Sequence, residues 1–147
     1  MKIFTIGFTK KSAEEFFSKL KENEVKRVVD IRLNNSSQLA GFTKGNDLKF
    51  FLDMILKIPY EHNVKLAPTK EILSDYKNKK IEWSEYERQF TNLLKERSNK
   101  NTLIEKNKLD NVCFLCSEAY PSNCHRTLVA NFVKQNYPDL DINIIHI

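Results

Sequence analysis

Within the eleven positions from Cys116 to Arg126, "CSEAYPSNCHR", the chain carries two cysteines, a glutamate, a histidine and an arginine. These groups can supply a nucleophile, a base, an acid and an anion clamp. The helix predicted from about Asn123 to Asn136 is apolar at Leu128, Val129, Phe132 and Val133. Cys124 lies four residues before Leu128 and His125 four before Val129, so both begin the inward face. A helix N-terminus offers free N–H groups and partial positive charge, which favour anions and lower the pKa of a thiol. The competing reading is plainer: Cys124 is buried and inert, and His125 donates to a carbonyl.

Asp30 and Arg32 form a second pair. Two residues apart on a strand, they share one face at a separation of roughly 7 Å. An acid and a guanidinium inside an apolar strand are costly without partners. They are therefore expected at its carboxyl end, the rim where open α/β sheets bind ligands. A structural ion pair tying the strand to its loop fits equally well. Glu118 follows another predicted strand, and parallel strands would bring it to the same rim. Gly7, ending the first strand, would let the backbone approach a ligand there.

Several alternatives fail on spacing. Cys113 and Cys116 have the C-x-x-C interval of a metal or redox pair, but a separation of three on a strand turns them to opposite faces. A cysteine-dependent phosphatase loop needs an arginine six positions after its cysteine. Arg126 lies ten after Cys116 and two after Cys124. Neither G-x-x-x-x-G-K-[ST] nor G-x-G-x-x-G occurs, and the chain has only three glycines.

The elements that must position these groups read as one α/β domain with a mostly parallel sheet flanked by helices. Its 147 residues suffice for one core without disulfide or metal. "KIFTI" (2–6), "VKRVVDIR" (25–32), "NVCFLCSE" (111–118) and the closing "DINIIHI" read as strands, with a short one in "YEHNVKLA". The first and second are expected to form a right-handed parallel crossover. Helices are expected from Ser12, whose hydroxyl and Glu15 have capping-box spacing, and from Asp47, Thr69 and Ser84, with a short one over 102–109. "MKIFTIGF" is too quickly interrupted for an export segment, and no apolar run approaches ~20 residues. A cytoplasmic location without membrane contact is expected. The net charge of +5 permits an acidic partner without identifying one.

The chain resembles domain-of-unknown-function family 488 through most of its length. The resemblance rests on "TIG" at 5–7, "VDIR" at 29–32, Ser37, Phe42, "CSEAYPSNCHR" from Cys116 and the final His146-Ile147. "LAPT" at 66–69 and "DYKNKKIEWSEYE" at 75–87 resemble one branch. Asn35 stands where the family often has proline, and Leu66-Ala67-Pro68 where it often has Leu-Gly-Gly. The resemblance implies an α/β fold and groups Asp30, Arg32, Cys116, Glu118, Cys124, His125 and Arg126 as one candidate site. Chemistry suggests the roles. Arg32 and Arg126, with Asp30 and Cys116, would bind the ligand. Glu118 or Asp30 would act as general base or orienter, His125 as acid, and Cys124 as nucleophile only if its thiol titrates low.

The leading expectation is a site for a small phosphate-bearing ligand, a nucleotide among those that fit. A nucleic-acid-binding module is the second reading, because Tyr76, Trp83 and Tyr86 alternate with lysines in "YKNKKIEWSEYER". Packing of those rings against the sheet is the plainer account. A Cys116, Cys124 and His125 metal site, with Glu118 added, comes last, because neighbouring helical residues point about 100° apart.

Overall fold

The computed structural model describes residues 1–36, 41–118 and 120–147. "VCFLC" is buried at all five positions of strand β4 (Val112–Cys116). A strand that is apolar throughout must be covered on both faces. β4 accordingly lies between β1 (Lys2–Gly7) and β2 (Arg27–Asp30). β3 (Tyr60–His62) pairs outside β2, and β5 (Asn143–His146) outside β1. The order is β3-β2-β4-β1-β5, and every pairing is parallel.

Side-chain alternation divides the core in two. Phe4, Ile6, Val28, Cys113 and Leu115 pack with Phe16, Phe17 and Leu20 of α1 (Ala13–Glu22) and Leu48 of α2 (Gly45–Phe51). Ile3, Val29, Val112 and Phe114 pack on the opposite side. Their partners there are Tyr86, Phe90 and Leu94 of α4 (Trp83–Lys100), and Val129 and Phe132 of α5 (His125–Asn136). Partly buried Ile72 and Leu73 of α3 (Lys70–Lys77) close that side. Burying each of these large side chains contributes about 1.5–3 kcal/mol. No helix among the described residues is long and apolar enough to cross a membrane.

Some elements depart from the sequence reading. β1 and β2 are parallel, but β4 lies between them. The second strand, Arg27–Asp30, is shorter than 25–32, although the Ile31 N–H still donates to the Leu115 carbonyl of β4 at 3.0 Å. Asp47 sits in the first turn of α2 instead of capping it; Lys44 holds the cap position. That helix becomes a π turn at Leu52–Leu56 and ends at Lys57, whose φ of 58° stops it before Pro59. α4 begins at Trp83, with Glu82 as its cap. The segment 102–109 forms only a 3-10 turn, Lys106–Lys108. Its apolar Leu103 and Ile104 adjoin each other and are buried in the core without a helical stripe. Ser12 caps α1 as expected, accepting from the Glu15 N–H at 3.1 Å.

The topology creates a crevice. β1 leads to α1 on one face of the sheet; its neighbour β4 leads to α5 on the other. Loops that leave adjacent parallel strands towards opposite faces part at their carboxyl ends, where open α/β sheets take ligands. Gly7 pairs with Cys116 at this point. Thr9 ties the two loops together, donating from its N–H (3.1 Å) and Oγ1 (2.6 Å) to the Ser117 carbonyl.

Candidate functional site

A cavity of about 510 Å³ opens at these carboxyl ends. Cys116, Cys124, His125, Glu118 and Arg32 line it, facing a wall that includes Tyr76, Lys77, Trp83 and Tyr86. Five of the seven expected site residues therefore meet at one cavity. Asp30 and Arg126 stand behind it.

Cys116 ends β4 on the face that carries α4 and α5, while Cys113 faces the opposite core cluster. The alternation argument against a Cys113–Cys116 pair thus holds. Asn123, at φ 53°, turns the chain towards α5; asparagine tolerates this left-handed backbone better than most residues. Cys124 is the extended cap of α5 (φ −130°, ψ 136°), so it is not helical, and the argument from 100° of helical rotation does not apply to it. Its Sγ lies 3.1 Å from Cys116 Sγ, and Cys116 Sγ lies 3.5 Å from His125 Nδ1.

His125 Nε2 lies 2.8 Å from the Ile31 carbonyl. A carbonyl can only accept, so Nε2 carries the proton and Nδ1 presents its lone pair to the thiols. Burial holds the imidazole below its ordinary pKa, although the Cys124 and Ile31 interactions oppose this. The expectation that His125 donates to a carbonyl is met at one nitrogen; the other is left for chemistry. In this neutral form His125 fits a proton acceptor better than the general acid expected of it.

The thiols differ. The Cys124 S–H bond lowers the pKa of Cys116 against the effect of burial, helped by the Glu118 and Ser117 N–H groups and by Arg126. The Cys116 hydrogen bond and burial push Cys124 up. Cys116 thus stands as the acceptor of the Cys124 S–H, and any thiolate in this pair is favoured at Cys116 rather than at Cys124. Burial pushes Cys113 up as well.

Asp30 and Arg32 form a buried fork. Arg32 Nε donates to Asp30 Oδ1 at 2.9 Å and Nη2 to Oδ2 at 2.7 Å. Nη2 also reaches the Thr43 carbonyl at 2.5 Å, and the guanidinium lies over the Phe8 ring. Tyr60 Oη donates to Asp30 Oδ2 at 2.6 Å and accepts from Asn35. Tyr60 is a support the sequence reading missed. Tyr60 opens the short strand expected in "YEHNVKLA", but its pairing with β2 is visible only in the structure. Arg32 Nη1 is buried and has no hydrogen-bond partner among the described residues.

Arg126 does not line the cavity. Only 1% exposed, it donates from Nη1 to the Glu118 carbonyl beneath Gly7. A Cβ at Gly7 would lie 1.6 Å from that carbonyl oxygen and 2.5 Å from Arg126 Nη1. Gly7 therefore makes room for the protein's own loop and guanidinium, not for a ligand. Glu118 itself is exposed at the rim.

The aromatic residues read for nucleic acid pack mainly on one another. Trp83 and Tyr86 stack at 5.0 Å, Tyr76 closes on both, and Tyr86 is only 2% exposed. Phe42 packs against Phe16 and Phe17; Ser37 lies outside the described residues.

No curated protein and no solved structure matches the chain. The family model described as "Domain of unknown function DUF488" matches residues 12–133, and the chain belongs to that family.

Proposed function

We propose that this cavity binds a small phosphate-bearing ligand. The observation that carries the reading is Arg32 Nη1, a guanidinium nitrogen without a hydrogen-bond partner among the described residues, on a 3% exposed residue of the cavity wall. A buried donor left unpaired costs about 1–3 kcal/mol, and an anion's oxygen would remove that cost. Asp30 and Tyr60 hold the fork in place. The N-terminal turn of α5 adds partial positive charge, and Lys77 adds a charged side chain at the wall. The volume is ordinary for a small-molecule site. Half-buried Tyr76 and Trp83, which line the cavity, suit a ligand with a planar ring, such as a nucleotide.

Within this reading Glu118 is the base at the rim, Cys116 the more acidic thiol and His125 a proton acceptor. Asp30 and Arg126 are positioning residues.

Thermal unfolding against pyrophosphate and nucleoside mono- and diphosphates tests it. Ligand at 100 times Kd adds about 2.7 kcal/mol of stability. Wild type is expected to gain this from at least one phosphate ligand. Arg32→Lys, which keeps a charge beside Asp30 but loses the fork, is expected to lose most of the gain. The absence of a shift with every phosphate ligand would refute the reading.

A further inference from the structure

Cys116 Sγ, Cys124 Sγ and a ring nitrogen of His125 all lie within 4.8 Å of one another, and all three residues are buried. Each arrives from a different local structure: the last residue of β4, the extended cap of α5 and the first helical residue. Chain geometry alone does not make such a convergence. Had Cys124 been helical, its side chain would diverge from that of His125 by about 100°.

We propose that these three residues bind one zinc-like divalent ion, with an open fourth position turned to the cavity. The inference shares the cavity described above but does not depend on phosphate binding. Two thiolates and an imidazole are a familiar donor set for zinc. Bonds of about 2.3 Å to sulfur and about 2.0–2.1 Å to nitrogen at a tetrahedral angle set sulfur and nitrogen about 3.6 Å apart. Cys116 Sγ and His125 Nδ1 stand at 3.5 Å. The same geometry separates two sulfurs by about 3.8 Å. The thiols at 3.1 Å would therefore open by a fraction of an ångström once deprotonated.

The His125 tautomer is an independent observation. Its Nε2–H is held by the Ile31 carbonyl, which fixes the ring and leaves Nδ1 free to ligate. Metal-bound histidines characteristically have such an outer partner. Arg126 Nη1, 4.0 Å from Cys124 Sγ, offsets the charge of the thiolates. All three residues line the cavity, so a water or a ligand oxygen can complete the coordination from that side. Binding converts two thiols to thiolates and releases two protons to solvent; His125 enters neutral, and no electron is transferred.

Cobalt(II) titration of the reduced, metal-free protein, without phosphate, tests the site. The expected result is one cobalt per chain, with sulfur-to-cobalt charge-transfer absorption, visible bands of tetrahedral cobalt, and displacement by zinc. Cys124→Ser and His125→Gln should each weaken binding at least tenfold, and Cys113→Ala should leave the spectrum unchanged. If the variants fail to fold, the charge-transfer intensity of wild type still reports the thiolates bound. No charge-transfer absorption in excess cobalt, or an unchanged spectrum in folded Cys124→Ser, would overturn the proposal. A phosphate response without cobalt binding would remove only the metal; cobalt binding without a phosphate response would remove only the anion reading.

Discussion

Asp30 has no exposed surface, and its carboxylate accepts four hydrogen bonds, three from Arg32 and one from Tyr60. At residue scale this network decides where Arg32 Nη1, unpaired among the described residues, sits. Removing one member of a buried pair leaves an uncompensated charge, at a cost of about 3–5 kcal/mol. Asp30→Ala is expected to lose that much in urea unfolding; Tyr60→Phe, which removes one neutral donor, should lose about 1 kcal/mol. Titration supplies another residue-scale prediction for the metal-free chain. Burial lowers the pKa of His125, and burial and Arg126 lower that of His146. As pH falls through about 6.5, the unfolded chain takes up protons that the folded chain refuses. Stability is therefore expected to be full above that pH and to decline below it. Urea unfolding at pH 7.5 and 5.5 should reveal the loss, and His125→Gln should reduce it. The aspartate–arginine pairing was legible from the two-residue interval alone. The partner tyrosine was not, because nothing in the sequence fixes which strand lies beside β2.

At element scale, the loops leaving β1 and β4 set the site. Gly7 lets the Glu118 carbonyl and Arg126 pass beneath the end of β1. Gly7→Ala is expected to cost roughly 3 kcal/mol and to weaken phosphate-ligand binding, because backbone must shift to admit the methyl group. Thermal unfolding and a binding titration on the same variant would check both effects. The sequence pattern placed α5 and β4 correctly, because their apolar periodicities are strong. It missed the extended backbone at Cys124. A cap and a first helical residue differ by one set of dihedral angles, and that difference turns two diverging side chains into converging ones. It also assigned Arg126 to the ligand, because a helix N-terminal arginine looks the same in sequence whether it faces outward or holds its own loop.

At the scale of the whole molecule, strand order matters most. The parallel sheet was readable from β4's unbroken apolar run and the alternation of helices and strands. The order β3-β2-β4-β1-β5 was not, since long-range pairing leaves no local mark. That order sets β4 beside β2, and the cavity opens between the loops that follow these two strands and the helices α3 and α4. It brings Cys116, Glu118 and α5's first turn together with Arg32, more than eighty residues distant in sequence. The most direct measurement is a calorimetric titration of a nucleoside monophosphate and of pyrophosphate into wild type and folded Arg32→Lys. Saturable binding of at least one of them by wild type, weakened tenfold or more in Arg32→Lys, is the predicted result. No binding, or equal affinity in the two proteins, would contradict an anion site at Arg32.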